Sequence, residues 1–217
     1  MKTARKVLII ALCAVLLVSI SVMGTMAYLT ADDTVTNTFT VGKVAITLDE
    51  AKVNEMGVAD ATVARVDKNT YKLLPGHTYI KDPTVHVQPN SEASYIRMTV
   101  AVTKSTELDA IFASKGANLL SIFNGYDSTN WIYKGNTEDT AKNTRTYEFW
   151  YKAIVPATDD KTTTDLDALF DSITVPGEIT NDQLATIKDM TITVNAYAIQ
   201  ADGFDTAAAA WTAAGLN

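Results

Sequence analysis

The run Ser94 to Thr103 alternates strictly between two kinds of side chain. Ile96, Met98, Val100 and Val102 fall on one side, and Tyr95, Arg97, Thr99, Ala101 and Thr103 on the other. Successive side chains of a strand point to opposite faces, so the run predicts a strand with an apolar face. The same period of two recurs in Val44, Ile46 and Leu48, in Thr84 to Gln88, and in Ile192, Val194, Ala196 and Ala198 within Met190 to Ile199. Tyr147 to Val155 is β-branched and aromatic, and Pro156 ends it. Helical signals are fewer and shorter. Ser105 to Ser114 opens on a capping residue and sets Leu108, Ile111 and Phe112 on one face. Asp165 to Phe170, Asn181 to Ile187 and Asp205 to Ala214 are weaker helical candidates. Strands separated by turns, with helices only as insertions, predict a mainly β fold. The expected form is an antiparallel β-sandwich, of the jelly-roll kind, with short helical insertions.

The N-terminus constrains the chain differently. Lys2, Arg5 and Lys6 precede an almost wholly apolar run from Val7 to Met23, and no charge occurs between Val7 and Ala31. Gly24-Thr25-Met26-Ala27 then supplies small residues at the −3 and −1 positions of a bond between Ala27 and Tyr28. That order predicts a cleavable signal peptide over residues 1–27. The competing expectation is a retained membrane anchor, since the apolar run is long enough to span a bilayer. The cysteine of the chain, Cys13, lies within the segment to be removed, so the exported chain carries no thiol, disulfide or thiolate metal site.

Removing 27 of the 217 residues leaves 190, enough for one domain. Three of the 18 basic residues leave with that segment and none of the 25 acidic ones, so the net charge moves from −7 to −10. An acidic surface argues against nucleic acid and anionic lipid as partners. Membrane contact is therefore expected only through the signal peptide before cleavage. Residues 28–42 read as an extended, Thr-rich segment, and residues 43–217 as the β domain.

Three stretches carry a resemblance. Gly24-Thr25-Met26-Ala27-Tyr28-Leu29-Thr30, followed by Asn37-Thr38-Phe39-Thr40-Val41-Gly42, resembles the export signal and mature start of the TasA/camelysin family. Leu74-Pro75-Gly76, Lys81-Asp82-Pro83-Thr84-Val85 and Ser94-Tyr95-Ile96-Arg97 are similar to that family's turn and strand starts, as is Ala196 to Phe204 near the C-terminus. The resemblance implies a jelly-roll protein secreted by a Gram-positive bacterium and processed by a dedicated ER-type signal peptidase. It implies a fibre or biofilm-matrix subunit at the cell surface or in the extracellular matrix, partnered by itself or by a related matrix protein. It further implies assembly by donation of an N-terminal strand. The stretch Tyr28 to Thr40, with Leu29, Val35 and Phe39 as its apolar contacts, is then the donor. Asp33 to Val41 could equally form the first strand of its own domain. Pro75, Gly76, Lys81, Pro83, Tyr95 and Arg97 are expected to maintain the fold.

The camelysin name carries a metallopeptidase label, which makes a secreted peptidase the alternative function. Zinc peptidases commonly place two histidines four apart on a helix with a glutamate between. Here His77 and His86 are nine apart across a turn, with Asp82 between them, and no His-Glu-x-x-His occurs. Ser91, Ser94 and Ser105 have no patterned histidine and no Gly-x-Ser-x-Gly elbow. Asp32-Asp33 and Asp159-Asp160 read as solvated turns rather than glycosidase pairs. Asp202 and Asp205 around Gly203 offer a weak calcium site at most. Trp131, Tyr133, Tyr147, Trp150 and Tyr151 are candidate stacking platforms for a glycan-binding module. The expectation is a protein with no enzyme activity and no cofactor.

Overall fold

The computed structural model describes residues 42–114 and 116–216, preceded only by Thr3 and Lys6. The fold lies within the unit Val41–Asn217. The signal segment 1–27, the bond between Ala27 and Tyr28, and Leu29, Val35 and Phe39 fall outside the described residues.

The described chain is mainly β. In order it forms β1 (Ile46–Asp49), β2 (Thr78–Ile80), β3 (Thr84–Val87), β4 (Ser94–Thr103), α1 (Ser105–Ala113), β5 (Phe123–Asn124), β6 (Trp131–Asp139) and β7 (Thr144–Tyr151). β8 (Thr164–Asp165), β9 (Ser172–Thr174), α2 (Asn181–Thr186), β10 (Ile192–Gln200) and α3 (Ala207–Ala213) follow. Three sheets result, ordered β1-β3-β8, β10-β4-β7-β6 and β2-β9-β5. Every ladder within them is antiparallel.

β4 is central because its sequence suits two neighbours. Ile96, Met98, Val100 and Val102 are all 0% exposed and enter the main core. Val85 and Val87 of β3, Phe149 of β7, Ile173 of β9 and Leu108 and Ile111 of α1 share that core. Apolar burial of this kind is worth roughly 25 cal/mol per Å² removed from water, and it is the main force joining the sheets. The opposite face of β4 is polar further along but not at its start. There Tyr95 joins Ala210 and Trp211 of α3 in a second apolar cluster, flanked by Trp150, Tyr197 and Ile199. Arg97 is buried beneath the same helix. Its guanidinium lies 5.4 Å from the Tyr197 ring and 5.9 Å from the Trp211 ring, and Nη1 donates to the Leu216 carbonyl. The arginine thus satisfies a carbonyl just past the C-terminal end of α3 and pins that helix to the sheet.

Helix ends follow their capping residues in two of three cases. Thr180 opens α2 with a capping box, accepting from Gln183 N while Gln183 Oε1 accepts from Thr180 N. Thr206 opens α3 by accepting from Ala209 N at 3.2 Å. α1 differs from the expectation that Ser105 caps it. Ser105 is buried and donates to Glu138 Oε1, and the free amide of Thr106 is taken instead by Asn143 Oδ1 at 2.9 Å. The expected helix at Asp165 to Phe170 is absent. Leu166, Leu169 and Phe170 imitate helical spacing, but Asp165 pairs with His86 of β3 and Leu166 N bonds Val85 O, so the segment runs on extended. Tertiary burial of the three apolar side chains overrides local propensity here.

Candidate functional site

β1 and β10 lie side by side without a ladder between them. β1 bonds β3 along one edge and β10 bonds β4 along one edge. Among the described residues no ladder forms on the second edge of either strand, and only the Glu50–Val66 bridge follows β1 on that side. Both edges border an open groove of about 960 Å³. Leu48, Asp49 and Glu50 of β1 and the bridge after it form one side, and Ile192 to Val194 of β10 the other. Leu184, Ile187 and Met190, from α2 and the turn after it, close one end, and Tyr71 and Leu73 line the loop across from them. The turn that aims the chain into β10 is made by Asp189, whose φ of 62° reverses the backbone directly after Ile187 and Lys188.

The groove is lined by apolar and polar side chains alike, with a nearly buried ion pair among them. Lys81 Nζ donates to Glu50 Oε2 at 2.6 Å, and the two side chains are 8% and 7% exposed. Glu50 Oε1 accepts from Asn69 Nδ2 at 3.0 Å. Asn69 also donates to Ala51 O and accepts from Val53 N, so all of its bonds hold the 66–73 loop against the end of β1. Reciprocal bonds of 2.8 Å between Glu50 and Val66 fix the loop's start. Tyr71 donates to Ile80 O at 3.2 Å. Burial, with the Glu50 charge adding to it, pushes its phenol far above the usual value. Tyr79, fully buried, donates to Lys72 O and accepts from Leu74 N. Burial raises its phenol as well.

Just outside this cluster, His86 links all three strands of its sheet. Nδ1 lies 2.6 Å from Asp165 Oδ1 on β8, and Nε2 lies 3.0 Å from Asp49 Oδ1 on β1. Arg65 in turn holds Asp49 through Nε at 2.5 Å and Asp82 through Nη1 at 2.8 Å. Burial opposes the charge on His86, but the two carboxylates outweigh it, and the imidazole pKa is raised above 6.5. Asp49 is likewise desolvated, yet Arg65 and His86 hold its carboxyl below the usual value. A raised histidine pKa means that the protonated form favours the folded state. The stabilisation is full below about pH 6.5 and is lost as pH rises through the raised folded value. Thermal melts at increasing pH are expected to show Tm falling by about 2–4 °C across that rise, as for a pair worth roughly 1 kcal/mol. The fall disappears in His86→Gln. A Tm in the parent chain that does not fall with pH over that interval contradicts the assignment.

The other sequence candidates do not converge. His77 Nε2 sits 2.6 Å from Met56 O with its ring edge-on to Tyr79, far from the carboxylates that engage His86. Among the described residues no three His, Cys, Asp or Glu side chains are grouped to hold a metal ion. Ser91 bonds the backbone of Ala45, Ser105 bonds Glu138 and Asn143, and Ser94 is buried against the Val155 bridge. Asp159 accepts from the amides of Lys161 and Thr162, as a turn residue does. Gly203 lies in a turn with φ 85°, where the Asp202 carbonyl accepts from Gln200. Of the aromatic candidates, Trp131 and Tyr147 are core residues with no face free for a sugar, and Trp131 spends its indole N–H on Asp167 O. Tyr151 packs edge-on against Trp131, and Trp150 lies between the Lys134 ammonium and Trp211. Tyr133 lines a separate apolar pocket of about 310 Å³ together with Phe123, Tyr126 and Phe149. Pro75 and Gly76 form the turn into β2, with Gly76 N bonded to Val175 O. Lys81, which the sequence assigns to the fold, lies at the groove floor, whereas its partners Glu50, Asn69 and Tyr71 are not distinguishable by pattern.

Comparison with protein-family models, with curated proteins and with solved structures gives no match. Among the described residues no helix is long and apolar enough to cross a membrane.

Proposed function

We propose that the protein is an extracellular structural subunit that assembles into a fibre or matrix, each chain receiving in its groove the N-terminal segment Tyr28 to Thr40 of a second copy. The observation that carries this reading is that, among the described residues, the β1 and β10 edges bordering one groove carry no ladder. A free edge presents N–H and C=O groups in the spacing an extended segment needs, and the pockets beneath take alternate side chains. The donor supplies Leu29, Val35 and Phe39, and cleavage after Ala27 makes Tyr28 the first residue of the exported chain. In this reading the three sheets, which share one core, stack as a jelly-roll sandwich with the groove at a seam between layers.

Negative-stain microscopy of the chain beginning at Tyr28 tests the proposal. Fibres are expected, and a chain lacking Tyr28 to Thr40 is expected to stay monomeric with an unchanged circular dichroism spectrum. Equal assembly by the two chains sinks strand donation.

A further inference from the structure

Among the described residues Lys81 is the one buried lysine and Glu50 the one buried carboxylate. Glu50 holds two different groups with its two oxygens. Oε2 accepts from Lys81 Nζ at 2.6 Å, and Oε1 accepts from Asn69 Nδ2 at 3.0 Å. A single carboxylate thus touches an amine and the nitrogen of a carboxamide at once. The carboxamide is held at each of its polar atoms. Val53 N donates to Asn69 Oδ1 at 3.0 Å, and Asn69 Nδ2 also donates to Ala51 O at 2.8 Å.

This arrangement suits acyl transfer within the chain. A lysine taken out of water becomes a nucleophile once it gives up a proton. A carboxylate in reach of both the nucleophile and the leaving nitrogen carries protons between them. A backbone N–H on the carbonyl oxygen polarises the carbon under attack and stabilises the negative charge that develops there.

We propose that Lys81 and Asn69 join through an intramolecular isopeptide bond, with Glu50 as the catalytic proton carrier. Lys81 Nζ passes a proton to Glu50 and attacks Asn69 Cγ as a neutral amine. Glu50 hands that proton to Nδ2 and takes a second from Nζ. The Cγ–Nδ2 bond breaks, the new Nζ–Cγ amide remains, and ammonia departs with the second proton as ammonium. Glu50 returns to a carboxylate, so atoms and charge balance with no co-reactant. The adjoining groove gives the ammonium a way out. The bond closes residues 69–81, which include the buried Tyr79, into a ring. Past Cys13 the sequence has no thiol, so a disulfide cannot supply such a tie. The inference stands apart from strand donation. The ion pair is the state before reaction, so its own stability is measured on freshly folded, unjoined chain.

Tandem mass spectrometry of tryptic digests of the folded, full chain tests the bond. Acylated Lys81 is not cut, so residues 69–72 are expected joined to residues 73–97. The joined peptide is lighter than its two parts together by one ammonia, about 17 Da. Asn69→Ala cannot form it. Asn69→Asp releases water in place of ammonia and is expected to restore a joined peptide of the parent's mass. Glu50→Gln keeps both reacting groups and is expected to form the bond about a hundredfold more slowly. A folded parent that yields only the separate peptides overturns the proposal, whether or not the variants fold. A joined peptide formed by Glu50→Gln at the parent's rate overturns the role given to Glu50.

Discussion

Replacing Lys81 by methionine is expected to lower the stability of the folded chain by about 3–5 kcal/mol, the cost of breaking one partner out of a buried ion pair. Methionine fills nearly the same volume, so packing is retained and the loss is electrostatic. Glu50 remains with its carboxylate 7% exposed, one oxygen bonded to Asn69 and the other facing nothing. The carboxylate must either stay charged in a dry place or take up a proton. Adding Glu50→Gln to Lys81→Met removes the stranded charge while keeping an acceptor for Asn69, and most of the lost stability returns. Urea denaturation of the three chains reads the difference directly. A loss below about 1 kcal/mol in Lys81→Met means that the pair is solvated in solution and that the groove floor is wet.

The second large effect comes from a turn rather than a charge. Gly57 has a φ of 71°, and a Cβ built there would lie 2.5 Å from Tyr79 Cα and 2.8 Å from Tyr79 Cβ. The turn around it is tied down: Asn54 Oδ1 accepts from Met56 N and Val58 N, Gly57 N bonds Asn54 O, and Gly57 O accepts from Ile80 N. Neither the turn nor the fully buried Tyr79 can move away without breaking these bonds. Gly57→Ala therefore combines left-handed backbone strain, about 1–2 kcal/mol, with overpacking of about 1–3 kcal/mol. A Tm lowered by about 10 °C is the expected result for a domain of this size. Gly203→Ala is the control. Its φ is also positive, at 85°, but nothing lies within 4 Å of the added methyl group, so only the backbone cost applies. Equal losses at the two positions would mean that contact with Tyr79 is not what makes Gly57 necessary.

What the sequence discloses about this fold depends on how far a signal extends along the chain. β4 is legible over its full length because alternation continues for ten residues, and the row Ile96, Met98, Val100 and Val102 is buried as the pattern requires. β1, β3 and β10 are legible for the same reason, with ends displaced by one or two residues. β2, β5, β8 and β9 are two or three residues long, too short for any period to register. β6 is long but hidden, because a register shift between Tyr133 and Gly135 interrupts its alternation. Among the aromatic candidates, sequence could not separate core from surface. Trp131 and Trp150 look alike in the chain, yet only one is fully enclosed. The groove was less legible still. Its parts come from residues near 50, 70, 81 and 190, and Lys81 meets Glu50 across 31 residues of sequence. A buried charge and its complement share no local pattern, so only tertiary structure brings them together.

The bulge in β6 bears on shape at a larger scale. β6 is the outer strand of the four-stranded sheet, at the side opposite β10. At Gly135, where φ is 132°, the pairing with β7 skips, and Lys134 turns back over Trp150. A foreign strand laid along that side would meet a broken row of backbone groups and could not zip along it. If strand donation holds, backbone pairing can use the β10 flank, which carries no ladder among the described residues, and is obstructed at the β6 flank. In that proposal, assembly would extend end to end rather than spread sideways into plates.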